Sequence, residues 1–427
     1  MSDDRLLAPA AMQDILRKRL TRRGLLKGAG AGVAGFSLAS FLAACGGGGG
    51  GGDVNPKGIF SGEAGDSVEF ANWPFYIDQA KDKEGNVYYP SLKQFKEETG
   101  IDVTYSDVIE SNDGFYGKIQ PQLAAGDPTG WDIIVISNSR QFTLLTQNEW
   151  VYPLDTSMRP NFDKYAEDFA LDPAYDKGNK YSMAWQSGVT GIGVNKELVN
   201  GEITKMDDLA NPNKVGKNLV GMIKGDMPDW VMVNLGIDPE TSGPDEWKEA
   251  AAWLMMQQES GTVRGYYGQE YAGEMTAGNV SATMAWSGDV LYYKLWVGYD
   301  NLEFVLPTDN LVLIWIDNML IPVGSKNPVG AAMVMDWYYD PKIAIGVTEW
   351  ILYMSPVKGM QDLINEDAAK AEDQGYKGYA NKLYATANSE FLFPSQELLD
   401  QTRFARTVEN DAEAEEWDNI FLPISQG

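Results

Sequence analysis

Four apolar runs in this 427-residue chain end in an aromatic residue, an acid or a small polar cluster. Val68-Glu69-Phe70-Ala71 leads into Asn72-Trp73-Pro74-Phe75-Tyr76, and Trp131-Asp132-Ile133-Ile134-Val135-Ile136 leads into Ser137-Asn138-Ser139. Ser281-Ala282-Thr283-Met284-Ala285 leads into Trp286-Ser287-Gly288-Asp289, and Leu311-Val312-Leu313-Ile314 leads into Trp315-Ile316-Asp317. Brought together, these ends make an indole-walled box with carboxylates inside it. An indole face attracts a cation by roughly 0.5–2 kcal/mol. A carboxylate ~4 Å from an ammonium adds about 4 kcal/mol at an effective dielectric of ~20. Aromatic walls would grip a methylene chain while the acids fix its amine ends. Taken singly, each Trp reads as core and each Asp as a helix N-cap; the coincidence of four such ends is what points to a site.

Composition narrows the chemistry further. The chain has no histidine, which removes the Ser-His-Asp and Cys-His nucleophile systems and His-ligated zinc. Its single cysteine removes disulfides and thiolate metal sites. No glycine-rich phosphate loop with its Lys-Ser/Thr is present. No cofactor and no metal is therefore expected. Carboxylate chemistry is the enzymatic route left open, as in a glycosidase with two carboxyls ~5–9 Å apart. Seven basic and three acidic residues lie in the first 45, leaving 27 basic and 58 acidic beyond them, a net of −31. Such a surface repels nucleic acid and anionic lipid and favours cations.

The elements that must position the box alternate strand and helix. Strands are predicted over 68–71, 101–105, 131–136, 191–194, 281–286 and 311–315. Helices are predicted over 91–99, with Gly100 as the stop, over 115–125, from Pro244 to about 258, and from Pro328 to near Asp340-Pro341. The alternation implies an α/β chain with parallel sheets, long enough for two domains. Ligands in such folds sit at the carboxyl ends of strands, often between domains.

The front of the chain is of another kind. Thr21-Arg22-Arg23-Gly24-Leu25-Leu26-Lys27, a weakly apolar run and then Leu42-Ala43-Ala44-Cys45 read as a twin-arginine export signal ending in a lipoprotein cleavage box. The alternative, an uncleaved membrane helix, is short of ~20 apolar residues and interrupted by glycines. Cys45 would carry the lipid, and the seven glycines that follow it open a flexible tether over 46–65.

Further pieces fall in order along the chain: Phe95 to Gly100, Glu110-Ser111-Asn112 with Tyr116, Gly191-Ile192-Gly193-Val194-Asn195, Asp317-Asn318-Met319-Leu320-Ile321-Pro322, and Tyr353-Met354-Ser355-Pro356. With the four strand ends, they resemble the extracytoplasmic polyamine-binding proteins of ABC importers, the spermidine/putrescine receptors. The resemblance implies that Trp73 and Tyr76 form a first aromatic wall and that Ser137 follows the buried strand into the pocket. It implies that Trp286 stacks on the alkyl chain, that Asp289 and Asp317 hold amines with Trp315 beside them, and that Tyr353 stands near the last hinge. Asp226 and Asp229 have the i, i+3 spacing of an acid pair at the far end of the pocket, or of an acid-rich helix N-terminus. Departures are Pro74 and Phe75 where polar or acidic residues are usual, and Ser139 in place of an aromatic. Arg140 comes next, a cation unhelpful to a polyamine unless it points away. The stretch 81–89 reads as an insertion.

The resemblance implies a two-lobed fold of the type II periplasmic-binding-protein kind with the cleft between the lobes. One lobe would hold 66–187 and 318–354, the other 188–317 and 357–427, with crossings near Gly188, Asp317 and Pro356. The expected protein is not an enzyme. It is a monomeric, lipid-anchored receptor that captures a polyamine and delivers it to a membrane permease. The rival readings are a receptor for another organic cation such as a betaine, and an exported carboxylate-dependent glycosidase.

Overall fold

The computed structural model describes residues 56–307, 311–407 and 410–426. The export signal with Arg22 and Arg23, Cys45 and the glycine run lie outside the described residues.

Among the described residues twelve strands form: β1 Ser67–Asn72, β2 Ala80–Lys81, β3 Val87–Tyr88, β4 Asp102–Asp107, β5 Ile133–Ser137, β6 Ser182–Asn195, β7 Val220–Ile223, β8 Val263–Tyr267, β9 Ala282–Trp286, β10 Leu302–Val305, β11 Val312–Leu320 and β12 Thr402–Arg403. One sheet runs in the order β4-β1-β5-β11-β6-β9-β7-β8, with β10 on β6 and β12 on β11. The stretch 81–89 makes the separate β2–β3 hairpin, closed where Gly85 N–H donates to the Asp82 carbonyl.

The expected parallel pairing holds in the wings and in the short β11–β12 pair. β1 pairs parallel with β4 and β5, and β7 parallel with β8 and β9. At the centre β11 runs antiparallel to β5 and β6, and β6 antiparallel to β9. The reason is visible in β6, whose 14 residues are all buried. A strand this long passes through both hydrophobic clusters. Met183 and Trp185 belong to one, with Phe70, Ile134 and Met319; Val189, Ile192 and Val194 belong to the other, with Trp230, Met284 and Ile314. β11 returns the other way, from Val312, Leu313 and Ile314 in the second cluster to Met319 and Leu320 in the first. The stretch 357–427, assigned above to one lobe, divides. Helices Met360–Asp373 and Lys377–Ala387 bury Ile364 and Leu383 in the first cluster, because their apolar faces meet helix Pro341–Ile351 and its neighbours. Phe421 and Ile424 of helix Asp411–Gln426 belong to the second.

The predicted helices form with local capping. Pro90–Thr99 starts on a proline and stops at Gly100, which takes the left-handed φ of 80°. Asn112–Ala125 is capped by Ser111, whose hydroxyl accepts the Gly114 N–H at 3.1 Å. Asn327 caps Pro328–Trp337 through the Gly330 N–H at 2.9 Å.

Candidate functional site

β1, β5 and β9 end beside the middle of β11, and the predicted residues meet there. Asp317 lies opposite Ser137 in the ladder, at a register shift between Asp317 and Asn318 on the β6 side. Such an irregularity re-aims a strand side chain. The Asp317 carboxylate is buried and accepts the Ser137 hydroxyl at 2.6 Å and the Tyr76 hydroxyl at 2.8 Å. Burial pushes its carboxyl up to about 6, although those two bonds favour the ionised form; the Asp226 charge adds to the rise. Ser137 is itself held by Asn112, whose side-chain amide donates to the hydroxyl at 3.0 Å and accepts the Ser137 N–H at 3.2 Å.

The other two acids are half-buried and bonded in the same style. Asp289 accepts the hydroxyls of Tyr271 at 2.7 Å and Tyr353 at 2.8 Å, and the Gln269 amide at 3.0 Å. Asp226 accepts the Thr190 hydroxyl at 2.7 Å and the Trp286 indole N–H at 2.8 Å. Burial raises both carboxyls above their ordinary range. Among the described residues, every partner of Asp226, Asp289 and Asp317 is a neutral donor. A carboxylate offers about four lone-pair sites, so each retains acceptor capacity.

The rings form a continuous wall. Trp73 meets Trp286 at 6.0 Å, Trp286 meets Trp315 at 6.2 Å, Trp315 meets Tyr353 at 5.4 Å, and Tyr353 meets Tyr76 edge-on at 5.3 Å. Two glycines make room for it. A methyl group on Gly188 would lie 2.6 Å from the Trp315 ring, and one on Gly288 would lie 2.6 Å from the Tyr353 ring. Trp73 is pinned from behind, its indole N–H donating to the Val135 carbonyl at 3.2 Å. Trp286 and Trp315 keep partly exposed faces.

Nine of the ten residues singled out for the pocket thus join one bonded cluster: Trp73, Tyr76, Ser137, Asp226, Trp286, Asp289, Trp315, Asp317 and Tyr353. Asp229 does not. It starts the buried side of helix Met227–Asn234 and accepts the backbone N–H of Arg406 at 2.8 Å. Burial pushes its carboxyl up to about 7, with the Asp226 charge contributing. Sequence reasoning missed Thr190, Gln269 and Tyr271, and gave Asn112 no role. None of the four ends an apolar run; only their approach to the acids in three dimensions marks them. Among the described residues, no group of three or more acids and cysteines is placed to hold a metal. The arrangement suits an organic cation, whose charge would meet carboxylates and whose carbon chain would meet rings.

Comparison with known proteins gives the same direction. The family of bacterial extracellular solute-binding proteins matches residues 91–399. Spermidine/putrescine-binding periplasmic protein 1 of Haemophilus influenzae is 28% identical over 342 residues, 79% of this chain and 89% of that protein. The putrescine-binding periplasmic protein PotF of Escherichia coli is 26% identical over 322 residues, 70% of this chain and 80% of that one. Among solved structures, the substrate-binding protein of a spermidine/putrescine ABC transporter from Streptococcus pneumoniae superposes with a TM-score of 0.63 at 23% identity, covering 85% of this chain and 99% of that one. The fold is therefore that of the periplasmic binding proteins.

Proposed function

The chain belongs to the family of bacterial extracellular solute-binding proteins, and we propose that it captures a polyamine for a membrane permease of the ABC type. The observation that carries this reading is the set Asp226, Asp289 and Asp317, three carboxylates with only neutral partners, facing a wall of indole and phenol rings. A zwitterionic betaine would bring its own carboxylate against these acids. A protonated di- or triamine satisfies them and lays its methylenes on Trp286. The relatives named for spermidine and putrescine support the same class. The two cores supply lobes that close about the crossings near Gly188, Asp317 and Pro356, and the closed form is what the permease receives. Only a ligand's preference for the closed form drives that shift. The protein works as a monomer outside the cytoplasmic membrane, exported through Arg22 and Arg23 and tethered by a lipid on Cys45 through the glycine run.

Thermal melting and titration calorimetry against putrescine, spermidine, betaine, glutamate and glucose test the reading. Putrescine or spermidine at about 100 times Kd stabilises by about 2.7 kcal/mol, which raises Tm by a few degrees. Betaine, glutamate and glucose leave Tm unchanged. A rise with glucose and none with any amine rejects the proposal.

A further inference from the structure

Arg140 stands three residues beyond Ser137, where a cation works against a cationic ligand unless it is drawn elsewhere. It opens helix Arg140–Gln147, which buries Phe142 and Leu145 in the first core. Its guanidinium donates to Asp418 at 2.7 Å, with side chains 25% and 36% exposed. Asp418 belongs to helix Asp411–Gln426, which packs on helix Pro244–Ser260 with Trp417 against Trp247 at 5.2 Å, in the second core. The ion pair therefore joins the two cores.

A second contact joins them from the same segment. Phe404, packed with the second core, meets the Tyr175 ring of the first edge-on at 5.7 Å, and both rings also pack on Ala170, on Ala184 of β6 and on Ile316 of β11. Arg406 donates its backbone N–H to Asp229, one helical turn beyond Asp226, the acid that holds the Trp286 indole. The Arg406 guanidinium donates to Glu413 at 2.9 Å, tying the segment to the start of its own helix. β12 adds Thr402 and Arg403 to the edge of β11 by parallel pairing, at the end of that strand opposite Leu320.

We propose that residues 402–407 and helix Asp411–Gln426 are a clasp across the cleft, with Arg140–Asp418 as its ionic catch and Tyr175–Phe404 as the apolar contact beside the crossing strands. This rests on the solute-binding reading above. Opening the lobes breaks the Arg140–Asp418 pair, which contributes to the interior of neither core. The catch also turns the Arg140 charge away from the acids that would hold an amine. Arg140 and Asp418 are positioning residues; they act on the ligand through the equilibrium between open and closed forms.

The test uses the full chain with Arg140→Gln, Asp418→Asn and the double variant. Stopped-flow tryptophan fluorescence follows putrescine release, small-angle X-ray scattering gives the radius of gyration without ligand, and melting checks the fold. A partly exposed pair of this kind is worth enough for about a two- to fivefold faster release. Each single variant should show that acceleration, a larger ligand-free radius and a Tm close to wild type. The double variant should match either single one, and salt at ~0.5 M should remove the difference from wild type. Additive single effects, or unchanged release and radius in both singles, overturn the clasp. If wild type binds no polyamine, the functional proposal fails while scattering still decides the clasp.

Discussion

At the scale of single residues, burial sets the behaviour of Asp317. Its carboxyl moves from 3.8 up to about 6 because the charged form is poorly solvated. The folded chain therefore holds a proton there over a window in which the unfolded chain does not. That proton contributes stability present in full below the unfolded value and lost as pH rises through about 6. Amine binding runs the other way, since an ammonium needs the ionised carboxylate. Putrescine affinity should fall as pH drops from 7 to 5, with protons released on binding near pH 6, measured by calorimetry in buffers of differing ionisation enthalpy. Asp317→Asn should weaken binding at least tenfold, about 1.4 kcal/mol, and flatten that part of the pH profile. Equal affinity in the variant would make Asp317 a structural acid. Most of the residues legible from sequence lie where an apolar run ends in a ring, a charge or a small polar group, while Asp226 and Tyr353 were reached only through the family resemblance. Tyr271 and Thr190 serve the same acids, yet they leave no linear trace, because a hydroxyl's partner is chosen by tertiary approach.

Among elements, six strand positions were readable, β7, β8 and β10 were not, and strand directions were hidden. The apolar stretches of β1, β5, β9 and β11 announce themselves. Only 191–194 of β6 did so, since Ser182, Gln186, Ser187 and Thr190 interrupt the apolar pattern while lying buried. They are buried because β6 has partners on both edges, which no local window records. Its antiparallel course between the cores was equally hidden. The starts at Pro244 and Pro328 and the stop at Gly100 were legible from local residues, whereas the Ser111 cap of helix Asn112–Ala125 and the Asp340 cap of helix Pro341–Ile351, equally local, were not read as helix starts. The close approach of Tyr353 to helix Ser287–Leu291 yields a prediction at this scale. Gly288→Ala places a methyl 2.6 Å from the ring, an overpacking that costs about 1–3 kcal/mol. It should lower Tm, displace the Tyr353 hydroxyl from Asp289 and weaken putrescine binding. Gly273 is the control, exposed in helix Tyr271–Thr276 with nothing within 4 Å of an added methyl. Gly273→Ala should hold or raise Tm, by up to about 1 kcal/mol in stability, and leave binding as it was. Equal effects of the two substitutions would remove the steric argument.

For the whole molecule, charge acts before contact. Beyond residue 45 the chain carries 58 acidic and 27 basic residues, so at long range the net charge attracts a cation. Solubility alone would account for such a surface, and kinetics separates the two readings. A field that steers ligands accelerates association by 10-fold or more and is lost as salt screens it, the Debye length shrinking from about 30 Å at 0.01 M to about 8 Å at 0.15 M. Dissociation instead depends on contacts inside the cleft, where screening is weak. Stopped-flow quenching of the indoles by putrescine should therefore show an association rate that falls about tenfold between those two ionic strengths, with a release rate that rises by no more than the about two- to fivefold that screening the Arg140–Asp418 pair allows. In Asp317→Asn the slope of association against salt should stay close to wild type while release quickens, because the long-range field belongs to the many carboxylates and the grip to the few. Association that ignores salt would leave the acidic surface with solubility as its whole role.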